Sequence, residues 1–260
     1  MITGIKAEFR KLFTVRSTYI LTGFALLYMV FYDFYIVGIR AGHNQSFIGP
    51  QSPRYLITEV SRAASIAAPV LFSAIIAILL MAHEYRYNTI MYTLTSSNSR
   101  NKTLLAKIIA ITAFALVFSL FVQVLAPIFA LAGLHVHHVV LPHQEFYYRA
   151  LFWRVMFYGW AYAMIGLLLA IVFRNVIVAI VSLFLVPVTI EPALGLLLNT
   201  HQQQYLPFTA LSAVLNNGLL RVARVGSGQL SAEQSAGVVL IYIVIGLTTG
   251  WILFLRRDAN

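Results

Sequence analysis

IIAITAFALVFSLFVQVLAPIFALAGL, residues 108–134, runs for 27 residues without a charged side chain. About 20 apolar helical residues span the hydrocarbon core of a bilayer, and a globular core helix is usually shorter and amphipathic. The stretch therefore reads as a membrane span, in spite of Gln123 and Pro127 inside it. Similar apolar runs occupy residues 17–39, 63–83, 152–173, 176–198 and 234–255. Across all 260 residues, 60% are hydrophobic and 10% charged, with mean hydropathy +0.82. A soluble domain carries about 25% charged residues, so a soluble globular enzyme is excluded. The expected fold is all-α: a polytopic membrane protein of six transmembrane helices, with residues 1–260 forming one transmembrane domain.

The N-terminus adds a seventh element. Ile2, Ile5, Phe9 and Phe13 recur at helical spacing, with Lys6, Arg10 and Lys11 between them. This pattern predicts an amphipathic helix over 1–16 lying in the membrane interface, its basic side toward phosphate headgroups. A cleavable signal peptide is not expected, because the segment lacks an apolar core.

Net charge is +10. In a soluble protein this would suggest nucleic acid, but here the charges flank apolar runs and suit anionic lipid. With the N-terminus inside, the inner segments hold 11 of the 18 Lys and Arg, including Lys6, Lys11, Lys102 and Lys107. The positive-inside bias places both termini in the cytoplasm of a cell membrane, in a protein of bacterial character.

Catalytic patterns are incomplete. His83-Glu84 begins a zinc-protease motif, but Tyr87 stands where the second histidine is required. Gly226-Ser227-Gly228 lacks the spacing of a nucleophile elbow. No lysine follows a glycine, so there is no phosphate-binding P-loop, and any ATP use belongs to a partner. His135, His137, His138 and His143 share one polar segment with Glu145. A solvated loop explains them more simply than a metal, and with no cysteine in the chain no metal or cofactor is expected. Asn44-Gln45-Ser46 matches a glycosylation sequon, a pattern frequent by chance.

Two carboxylates fall within spans and are candidates for a transport pathway. Asp33 lies in the aromatic half of the first span, where Arg40 can pair with it. Glu191 precedes Pro192 and follows Pro187, so the fifth span is expected to kink or end there. Residues 199–233 read as an outer, partly inserted segment, amphipathic from Tyr205 to Arg224.

The stretch HEYRYNTIMYTLTSSNSRNKTLLAKIIA, residues 83–110, resembles the permease subunits of type-2 ATP-binding-cassette exporters. Glu84 at the end of the second span, Thr89, Leu94, Ser99-Arg100, Leu104 and Lys107 take the places of that family's motif. Asn88 stands where glycine is usual and Asn98 where proline is frequent. The resemblance also covers the layout of an interfacial helix, six spans and a partly inserted segment before the last span.

The resemblance implies a half-transporter that pairs with a second permease, homo- or heterodimeric, across spans one and five. Each half docks a separate ATPase subunit, which holds ATP and magnesium. Residues 84–107 would form the cytoplasmic coupling loop. Glu84, Arg86, Thr89, Ile90, Met91, Leu94, Ser99 and Arg100 would engage the ATPase, with Glu84 and Arg86 facing Arg100 or Lys102 across the turn. The competing readings are a self-contained ion-coupled carrier or channel using Asp33 and Glu191, and an intramembrane hydrolase using His83, Glu84 or the outer histidines.

Overall fold

The computed structural model describes residues 2–40, 68–87, 100–136, 148–215 and 230–256. Among them every regular element is helical. Five helical stretches are long and apolar enough to cross a membrane: Arg16–Tyr35, Arg100–Gly133, Phe152–Phe173, Val176–Leu197 and Ala232–Arg256. The chain is thus a multi-pass helical membrane protein.

Helix α1 spans Ile2–Thr14. It stops at Val15, whose extended backbone (φ −80°, ψ 122°) turns the chain into α2, Arg16–Met29. Hydrogen bonds hold the elbow: Val15 N–H donates to Lys11 O at 3.2 Å, and the Tyr19 hydroxyl reaches Phe13 O at 2.5 Å. Helix α2 continues without a break into a π-helical segment, Val30–Arg40. Helix α3 covers Ala68–Arg86 and α4 covers Arg100–Val136.

Both α3 and α4 reach into the 84–107 segment that the sequence reading assigns to a loop. Helix α3 ends three residues later than expected, and α4 begins eight residues before its apolar run. The charges at Glu84, Arg100, Lys102 and Lys107 suggested loop, but Glu84, Arg100 and Lys107 find partners on neighbouring helices. Residues 88–99, which include Thr89, Ile90, Met91, Leu94 and Ser99, lie outside the described residues, as do His137, His138 and His143.

Helix α5, Tyr148–Phe173, is the most enclosed of the spans and packs against both α3 and α4. In a bilayer the lipid tails are as apolar as the side chains, so close packing rather than hydrophobic burial holds helices together. Small residues make this possible. Ala161, Ala163 and Ala170 of α5 and Ala74 and Ala77 of α3 are buried. At Gly166 a Cβ would stand 2.6 Å from the Ala74 carbonyl oxygen, so the two backbones meet there. Trp160 Nε1–H donates to Thr112 Oγ1 at 3.2 Å, tying α5 to α4.

The turn after α5 is as short as the sequence suggests. Arg174 adopts φ 51°, and Asn175 caps α6, Val176–Leu185, by accepting from Ile177 N–H and Val178 N–H. Pro187 and Pro192 do not end this span. Because a proline removes one helical donor, the chain re-registers instead into a π-helical segment, Val186–Ile190. Glu191 N–H then donates five residues back, to Val186 O, and the span continues as α7, Glu191–Leu197. A short turn, α8 (Thr200–Gln203), leads to α9, Pro207–Leu215. Helix α9 buries Ala210, Leu211 and Val214 against α5 and the last helix, α10, Ala232–Arg256.

Candidate functional site

Four charged side chains meet where α1, α3 and α4 come together. Lys107 is fully buried. Its ammonium donates to Glu84 Oε1 at 2.8 Å, to Glu8 Oε2 at 3.0 Å and to the Leu80 carbonyl at 3.3 Å. Lys11 closes the ring by donating to Glu8 Oε1 at 2.7 Å and to Glu84 Oε1 at 2.5 Å. Two carboxylates thus face two ammonium groups, and the cluster is charge-balanced.

Local structure explains the arrangement. Glu8 lies on the α1 stripe that includes Leu12, and both side chains are buried. Lys107 lies on the buried stripe of α4 with Thr103, Leu104, Ala110 and Ile111. Helical spacing points each charge inward, and taking an ammonium out of water costs several kcal/mol unless it is paired and hydrogen-bonded. All three donor positions of Lys107 are used. For Lys11, burial lowers the ammonium pKa, but the Glu84 and Glu8 carboxylates outweigh it and hold the pKa above the ordinary lysine value. Among the described residues one atom of the cluster remains unsatisfied: Glu84 Oε2 is buried without a partner.

The expected pairing of Glu84 and Arg86 with Arg100 or Lys102 is therefore corrected. Glu84 pairs with Lys11 and Lys107, and the Arg86 guanidinium stands 5.6 Å from the Tyr87 ring centroid. Arg100 donates from Nη1 to Leu255 O at 3.0 Å, and its neighbour Asn101 accepts from Trp251 Nε1–H at 2.9 Å. The start of α4 is thus fastened to the end of α10. Both helices that border residues 88–99 are anchored, one through Glu84 and the other through Lys107, Arg100 and Asn101. Sequence reasoning singled out Glu84, Arg86 and Arg100 but missed Glu8 and gave Lys11 and Lys107 no partner. The available signal was a charge at each apolar-stripe position.

Glu191 sits elsewhere, at the junction with α9. Its Oε1 accepts from Phe208 N–H at 2.7 Å. Its Oε2 accepts from Thr209 N–H at 2.8 Å and Thr209 Oγ1 at 2.9 Å. The carboxylate thereby satisfies donors that the first turn of α9 leaves open. It also lines a cavity of about 330 Å³ with Tyr158, Tyr162 and Gln203.

Asp33 lies in the π-helical segment Val30–Arg40, which packs along α4. It is fully buried, and neither carboxyl oxygen has a hydrogen-bond partner among the described residues. Gln123 of α4 is likewise buried, with both amide atoms unpartnered among the described residues. Among the described residues no three His, Asp or Glu side chains group as metal ligands would.

A comparison with curated proteins finds no match. Residues 26–259 match the model of a family described as protein of unknown function (DUF2705), and the chain belongs to that family.

Proposed function

We propose that this protein is the transmembrane permease subunit of an ATP-binding-cassette exporter, coupling a substrate pathway to ATP hydrolysis in a separate ATPase subunit. The observation that carries this reading is the charge cluster at Lys107. It joins α3 to α4 on either side of residues 88–99 and ties both to α1. A partner that displaces the 88–99 segment would move three helices together rather than deform one loop. Such a lever is what a permease without its own nucleotide site requires.

In this reading α3 is the second of six spans, α1 lies in the cytoplasmic interface and both termini are cytoplasmic. Two permeases pair, and their shared interface uses spans one and five. Tyr19, Phe24 and Leu27 of the first and Ile177, Val188 and Leu196 of the fifth are exposed, which leaves apolar faces for a second permease or for lipid.

The test is affinity purification of the tagged chain from its native membrane in mild detergent. The expected result is an equimolar ATPase bearing a P-loop. A lone chain that still transports in liposomes would overturn the proposal. Asp33, buried and without a hydrogen-bond partner among the described residues, favours the second reading, an ion-coupled carrier. Transport driven by a proton gradient in ATPase-free liposomes would support it.

A further inference from the structure

The cavity of about 330 Å³ beside Glu191 lies between α5, the π-helical segment with α7, and α9. Its volume falls at the small end of ligand sites, about 300–1,000 Å³. The π-helical segment Val186–Ile190 contributes Pro187 to the wall and delivers Glu191 to it. Wide turns of this kind recur at functional sites. Gln203, which also lines the cavity, closes the short turn α8, where His201 and Gln202 are exposed. The cavity therefore lies where the apolar span gives way to polar chain.

The polar groups around it are rich in acceptors. Glu191 accepts at both carboxyl oxygens, the pattern of an ionised carboxylate. It has no cationic partner among the described residues, and among them no Lys, Arg or His lines the cavity. Gln203 spends both Nε2 hydrogens, on Gly195 O and on Leu198 O at 3.0 Å, which leaves Oε1 as an open acceptor. The Tyr158 and Tyr162 hydroxyls make no hydrogen bond among the described residues, yet they are not sealed in protein as the Asp33 and Gln123 polar atoms are. They open on the cavity that both residues line. The rings of Tyr158, Tyr162 and Phe208 stand in series along its wall, with centroids 5.5 Å apart at each step.

We propose that this cavity binds a small organic cation, a primary ammonium carried on a compact apolar body. The ammonium donates to Gln203 Oε1 and to the two tyrosine hydroxyls, and the aromatic wall attracts its charge. The apolar body lies against Leu206 and Phe208. The donors of α9 satisfy the Glu191 oxygens, but a helix N-terminus supplies only about half a positive charge. A net negative charge therefore remains for the ligand to neutralise. An anion would meet that charge with no cationic side chain in the wall to offset it, and a neutral ligand would leave it uncompensated. The assignment does not rest on an ATPase partner.

The test is isothermal titration of the full-length chain in mild detergent with benzylamine, benzyl alcohol or benzoate, each corrected by the same titration into empty micelles. The proposal expects benzylamine to saturate at one per chain, at least about tenfold more tightly than the isosteric alcohol, with no saturable binding of benzoate. Tyr158→Phe with Tyr162→Phe removes the two unpaired hydroxyls and keeps the rings. Affinity for benzylamine should fall about three- to tenfold in that variant, while thermal unfolding stays unchanged. Glu191→Gln removes the charge and should weaken binding as well. Equal affinity for benzyl alcohol would overturn the cation assignment. Undiminished affinity in the double tyrosine variant, or in Glu191→Gln, would overturn the site.

Discussion

Lys107 Nζ lies 2.8 Å from Glu84 Oε1, and the lysine side chain is wholly shielded from solvent. The two residues bracket the segment between α3 and α4, so the pair staples the two ends of that segment together. Breaking a buried pair by removing one partner leaves an uncompensated charge, at a cost of about 3–5 kcal/mol. Lys107→Met should therefore lower the thermal unfolding temperature sharply in detergent. Glu84→Gln combined with Lys107→Met should cost less than the two single substitutions added together, because the stranded charge is removed as well. Additive losses would show that the two residues act independently.

Glu191 holds the start of α9 through three hydrogen bonds. Replacement by Leu leaves the Phe208 and Thr209 donors unpaired, at about 1–3 kcal/mol. The expected readout is faster amide hydrogen exchange across residues 207–212, with α10 unchanged. Thr209→Val, which removes one bond, should give a smaller increase of the same pattern.

Gly166 marks the closest approach of α3 and α5. A Cβ there meets backbone, 2.6 Å from Ala74 O, so Gly166→Ala must push the helices apart. Overpacking of this kind costs about 1–3 kcal/mol, and the unfolding temperature should fall. Gly23, with nothing within 4 Å of a Cβ, is the control. Gly23→Ala should be neutral or slightly stabilising, as expected from helix propensity.

Asp33 carries a desolvation cost that no described partner offsets. Asp33→Leu should raise the unfolding temperature, since a buried polar group without a hydrogen bond is unfavourable. If Asp33 serves the transport pathway, transport should fall in the same variant. Higher stability with full transport would remove it from the pathway.

Much of the membrane architecture was legible because its signal is local. Residues 108–134 declare a span by length and lack of charge alone, and Arg174-Asn175 declares a tight turn. What the sequence concealed was pairing at a distance. Glu8 and Lys107 are 99 residues apart, and nothing local links them. Lys102 and Lys107 look like the same flanking charge, yet only helical phase turns Lys107 inward. Pro187 and Pro192 left two outcomes open, a kink or an end, for another reason. Proline signals a lost donor, and the sequence does not reveal whether the helix ends or shifts to a wider π-helical register, as it does at Val186–Ile190. Glu191 showed itself as an unusual carboxylate, but its three donors come from a helix that begins 16 positions later.

The central claim, that residues 88–99 receive an ATPase, is tested most directly by site-specific cross-linking in intact membranes. The chain contains no cysteine, so a single Leu94→Cys is a unique attachment point for a photoreactive probe. His138→Cys, in the segment between α4 and α5, serves as the reference. The account predicts an ATPase adduct from position 94 and none from position 138. Adducts to lipid alone from position 94, or an equal ATPase adduct from position 138, would contradict it.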